Sequence, residues 1–175
     1  MKYFIILFLA LPAIFLWSQS EQIVYYNSAL VLENNMELQE ADATLANEIQ
    51  QWEQEIKDIE AEIESLTQEY EQRKLTLLPS GQLEAENEID LLRQRRDSKI
   101  EEIYGENGKI ITRNNELIQP IMEKLKSVIE LVAIENNYSI VLDASLGVIG
   151  YGKSKLDITE LIIEEMGNIV ETEDK

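Results

Sequence analysis

Two aspartates near the end of the chain are placed as catalytic carboxylates often are. Asp143 closes the run "YSIVLDA" and Asp157 opens "DITELIIEEM". A carboxylate pair divides acid and base work when its surroundings push the two pKa values apart. Between them lies "GYGKS", Gly150 to Ser154, with the composition of a phosphate-cradling loop. Neither feature completes a site. The G-x-x-x-x-G-K-[ST] spacing is missing, and no helix is predicted directly after Lys153-Ser154. The chain has 0 histidines and 0 cysteines. That removes imidazole and thiolate metal ligands, disulfides, and Ser-His or Cys-His nucleophiles. No enzyme activity, cofactor or metal site is expected. Asp157 has a structural reading instead. Followed by Thr159 and Glu160, it has the pattern of a capping box, in which Asp157 accepts from free helix amides and Glu160 reaches back.

The other chemistry-bearing residues lie in the middle of the chain. "RQRRDSK" concentrates Arg93, Arg95, Arg96 and Lys99. Two partners suit this cluster: the acidic helical stretch before it, or an external anion. Trp52 and Tyr70 offer aromatic surface to an apolar partner, or pack within a helix–helix seam. The chain as a whole carries 34 acids and 15 bases, a formal net charge of −19. A nucleic-acid partner is therefore not expected, because phosphate binding needs a basic footprint.

These residues are carried by a long helical hairpin. Leu38, Leu45, Trp52, Ile59 and Leu66 recur every seven residues, and Ile49, Ile56, Ile63 and Tyr70 form a second series offset by three. This is a heptad seam over roughly 36–78. Pro79-Ser80-Gly81 is read as the stop and the hairpin tip. A second arm follows over roughly 82–136, with a poorer series at Ile89, Arg96, Ile103, Ile110 and Leu117. Gly105 and Gly108 fall inside it, as a tolerated weak spot or as a hinge. Pro120 marks the end of the return. The paired arms project about 60 Å at 1.5 Å per residue. Residues 36–119 are thus the arm, and 21–35 and 120–175 form the body. The body takes a strand from "QIVYY", one from "YSIVLDA" and one from "GVIGY", Gly147 to Tyr151. The fold class is α+β. So small a sheet is marginal alone, so assembly through it is expected.

The first 20 residues read as a secretory signal peptide. Lys2 precedes an apolar run from Tyr3 to Trp17, and Ser18 and Ser20 suit cleavage after Ser20. The run falls short of the ~20 apolar residues that span a bilayer comfortably. No stable membrane span is expected after cleavage.

Together, "QIVYYNSALVLENN", "NNYSIVLDAS" and "KLDITELIIEEM", with a helical hairpin between, resemble the Skp/OmpH-like family of periplasmic chaperones. The resemblance covers essentially all of the chain after the signal. It implies a homotrimer with a small β-body, from which three hairpins hang and enclose unfolded outer-membrane or other envelope proteins without ATP. It also implies a periplasmic location. One departure is plain: Skp-type arms are basic, and this chain is acidic. The alternative is a structural or tethering coiled-coil protein of the envelope that keeps the fold and does not hold clients.

Overall fold

The computed structural model describes residues 22–173, so the signal-peptide expectation lies outside the described residues. The element order is β1 (Gln22–Tyr26), α1 (Ser28–Glu33), α2 (Met36–Arg73), α3 (Pro79–Tyr104), α4 (Lys109–Glu135), β2 (Tyr138–Asp143), a 3-10 turn (Ser154–Leu156) and α5 (Thr159–Glu173). The expected class holds: a mostly helical chain with a small sheet and a long hairpin.

Asparagines start the first two helices. The Asn27 carboxamide accepts from the Leu30 amide at 3.3 Å, and that of Asn35 accepts from Leu38 at 2.8 Å. Each satisfies an amide that has no partner within its helix. From Asn35 the outgoing arm, α2, runs unbroken for 38 residues. All nine residues of its two heptad series are buried or half-buried. Ile56 and Ile59 are buried there, and Ile89 and Ile103 are buried on α3, which packs along α2. The poorer return series keeps its register: Arg96, Ile110 and Leu117 are half-buried.

Pro79 and Pro120 both act differently from the sequence expectation. The turn falls at residues 74–78, not at 79–81, because Pro79 starts α3 instead of stopping α2. Its fixed φ suits a first helical position, where its missing N–H is not needed. Pro120 does not end the return. It lies inside α4, which continues to Glu135. A mid-helix proline costs about 3 kcal/mol. The stripe beyond it, Ile121, Leu125, Val128 and Val132, is fully buried in the body. Burying each such side chain is worth about 1.5–3 kcal/mol, which outweighs the proline.

The return arm is two helices, not one. After Tyr104 the backbone turns extended at Gly105 and stays out of the helix until Gly108. A Cβ at Gly105 would lie 2.4 Å from the Glu101 carbonyl oxygen, and one at Gly108 would lie 2.5 Å from that of Ile103. Only glycine admits these approaches. Ile103, just before the break, is 0% exposed, so the break is anchored by packing on its tip-ward side.

In the body, α4 stops at Asn136, and Asn137 turns the chain with a left-handed φ of 54°. β2 then pairs with β1 in parallel, with Val24 opposite Val141 and Tyr25 opposite Leu142. Val24 and Tyr26 point into a core with Val31, Leu125, Val128, Val132, Ile158 and Ile162. The third strand expected at Gly147–Tyr151 does not form. The sheet has two strands, and residues 144–153 are an exposed connection. Gly147 sits at φ +69°, outside strand geometry, and the segment after it pairs with neither strand of the sheet.

The apolar seam holds the arms, and charge contributes little. Ile56→Ala or Ile103→Ala should each lower stability by about 2–5 kcal/mol in thermal melts followed by helical circular dichroism. Salt at about 1 M, which shortens the Debye length to about 3 Å, should not reproduce that loss. A melt moved by salt and not by the alanine variants would contradict the seam.

Candidate functional site

The two aspartates that suggested chemistry lie on opposite sides of β1. Asp143 ends β2, in register with Tyr26, while Asp157 bridges Tyr25 along the other edge. Each is engaged locally. The Asp143 carboxylate accepts from the Ser28 amide at 3.2 Å and the Ser145 amide at 2.9 Å. Burial alone would raise its pKa. The hydrogen bonds from Ser28 and Ser145 outweigh burial and hold the carboxyl below its ordinary value. Asp157 accepts from the amide and hydroxyl of Thr159 at 3.0 and 2.5 Å. The Thr159 hydroxyl oxygen in turn accepts from the Asn27 amide at 3.0 Å. The backbone N–H of Asp157, which Glu160 would cap in a capping box, donates instead to Ser154 at 3.1 Å. The motif therefore ties the two chain ends together in place of a reciprocal box, and Glu160 is exposed. "GYGKS" runs as loop into the short 3-10 turn.

The basic cluster faces acids at close range. Arg93 pairs with Asp90 at 2.9 Å, and Arg96 with Asp97 at 2.6 Å. Lys99 reaches across to Glu55 at 2.9 Å and also touches Glu102 at 3.5 Å. The bond to Glu55, more than the proximity of Glu102, raises the Lys99 pKa against the opposing effect of desolvation. Arg95 and Lys99 border a cleft of about 360 Å³ whose other walls include Glu55, Asp58 and Glu62 of α2.

The two aromatic candidates differ in access. Tyr70 is 7% exposed, its hydroxyl donates to Glu86 of α3, and Lys74 stands 5.1 Å over its ring. Trp52 is half-buried, and its ring borders a cleft of about 670 Å³ beside the 105–108 break. Trp52 and Tyr70 are 18 residues apart on one straight helix, so about 27 Å separates them. The candidate residues form a line along the arm and not a single pocket.

A set of ties between the arms was not read from the sequence. Lys124 pairs with Glu37 at 2.7 Å, Arg113 with Glu48 at 2.9 Å, and Tyr104 donates to Glu53 at 3.1 Å. Between the first two ties both arms advance by the same eleven residues. Between the second and third, the outgoing arm advances five and the return arm nine. The difference matches the four residues of the break, 105–108. Opposite charges at mirrored distances from the turn are the signal that would have located these pairs.

Residues 22–166 match the model of the family described as outer membrane protein (OmpH-like). The chain belongs to the OmpH-like family. Among solved structures, this OmpH-like chain is similar to that of a candidate outer membrane chaperone (OmpH-like) from Caulobacter crescentus CB15. The TM-score is 0.74 at 14% identity, over 83% of each chain. That likeness is one of fold. No curated protein matches the sequence.

Tyr70 gives the arm an alkaline limit. Its bond to Glu86, then desolvation, then the nearby carboxylates push its pKa up to about 12 from 10.0. The unionised hydroxyl is the form that donates, so its contribution is complete below about pH 10 and is lost as pH rises through about 12. In melts of native protein and Tyr70→Phe, the stability difference should stay constant at lower pH and shrink across that window. A difference that does not depend on pH would contradict the assignment.

Proposed function

We propose that this chain is an exported, ATP-independent holdase of the bacterial periplasm. Three copies join through their bodies and enclose unfolded outer-membrane or other envelope proteins between their arms. Family membership supports a chaperone role. The observation that carries the assembly is the outer face of the sheet. Ile23, Ile140 and Leu142 stand on it 51%, 46% and 40% exposed. The connection after β2 adds Leu146, Val148 and Tyr151, each more than 70% exposed. Apolar surface gathered beside a two-stranded sheet is what a second copy would cover. The strand-like segment Gly147–Tyr151, unpaired with the sheet of its own chain, gains a strand partner there.

Holding follows from the arms. Each presents scattered apolar surface, including Leu91 at 66% and Ile111 at 48% exposure. Many weak apolar contacts keep a client soluble without folding it, and release needs only that the client fold or insert elsewhere. The basic cluster is largely neutralised by its neighbours, so attraction of acidic clients by charge is not part of this mechanism. Among the described residues no helix is long and apolar enough to cross a membrane.

Light scattering should give the mass of three chains. Ile140→Asp should convert the trimer to monomer while leaving the helices folded, because Ile140 faces outward and Val141 packs on the chain's own core. A wild-type monomer at micromolar concentration would remove the enclosed space. The native protein should suppress aggregation of an unfolded acidic β-barrel protein, and added salt should leave that unchanged or improve it. Loss of holding at high salt, or in a glutamine variant of Arg93, Arg95, Arg96 and Lys99 that stays trimeric, would instead make the basic cluster the client site. A trimer without suppression would favour the tethering role.

A further inference from the structure

We propose that the Trp52 cleft is a subsite for cationic side chains of unfolded polypeptides, arginine above all, and that it turns the arm toward basic client segments. This rests on the holdase reading and names the client chemistry one part of the arm selects.

The cleft is built into the backbone. It opens where the return arm leaves its helix at Gly105, and the close approaches at Gly105 and Gly108 fix the chain in that shape. Its volume of about 670 Å³ is of the size that takes small ligands or a few side chains. Trp52 supplies one wall. An indole face attracts cations through its quadrupole more strongly than any other side chain.

A cation already stands there. Lys109 Nζ lies 5.9 Å from the centre of the Trp52 ring, held by Glu102 at 2.6 Å. This internal lysine marks the chemistry the ring face accepts. The rest of the lining has the same preference. It contributes four carboxylates, Glu101, Glu102, Glu106 and Glu116, against Lys109 and Arg113. Both cations are committed, Lys109 to Glu102 and Arg113 to Glu48 and Glu116. Glu101 and Glu106 are exposed and have no ion pair among the described residues. An incoming guanidinium can stack on the indole and fork to a carboxylate at once. The acidic chain around the cleft, at −19, draws cations and repels anions before contact.

The test uses an unstructured arginine-containing peptide and its citrulline counterpart, which keeps the shape and loses the charge. The protein is the chain after cleavage at Ser20, in which Trp52 is the single tryptophan; in a form that keeps residues 1–20, Trp17→Phe achieves the same. The arginine peptide should shift Trp52 fluorescence and bind about ten-fold tighter than the citrulline peptide, with the difference lost in high salt. Lys109→Gln removes the internal competitor and should tighten arginine-peptide binding about three-fold. A purely structural lysine would instead weaken binding or leave it unchanged, and either result overturns the proposal. So do equal affinities for the two peptides. Trp52 also packs in the seam, so the Lys109 variant is the one that decides. Intact aggregation suppression with equal peptide affinities would refute the cleft alone. Peptide discrimination without aggregation suppression would refute the holdase reading alone.

Discussion

The arm depends on one apolar seam along the unbroken helix α2. A hairpin that projects from a small body has no second layer to lean on, so its two arms must bury one another. α2 supplies a stripe that is never interrupted over 38 residues. The return arm is fitted to it in two pieces, and its irregularities fall where α2 runs straight past. This division lets the return arm contain a four-residue break without losing register. It also leaves open the cleft beside Trp52.

Charge plays a secondary role inside the arm and a larger one outside it. The ties between arms place donors of the return arm, Lys99, Tyr104, Arg113 and Lys124, against carboxylates of α2. Most are partly exposed, and such pairs contribute about 0.2–1 kcal/mol each. Their use is to fix register and keep α2, the more acidic arm, from repelling its partner. What remains is a surface dominated by unpaired acids. It makes an acidic client a poor electrostatic match and a basic segment a good one.

The hairpin was legible because periodicity reports directly on burial. All nine seam positions of α2 are buried or half-buried, and Ile89 and Ile103 occupy the return side. The prolines were less legible because the effect of a proline is decided by the packing of its neighbours along the chain. Pro79 opens a helix, and the buried stripe from Ile121 to Val132 carries α4 through Pro120. The third strand was read from β-branched residues at Gly147–Tyr151, but Gly147 at φ +69° takes the chain out of strand geometry where that strand would start. Of the site residues, the sequence located Trp52 but not its surroundings. The cleft arises from the return arm passing Trp52 out of helix, and no local pattern records which residue a break will face.

Hydrogen exchange of an unfolded β-barrel protein bound to the proposed trimer tests the central claim most directly. A holdase that works through many weak contacts should keep the client soluble while its amides exchange nearly as fast as in the free unfolded chain. Client amides protected as in a folded barrel, or a client that precipitates as it does alone, would contradict it.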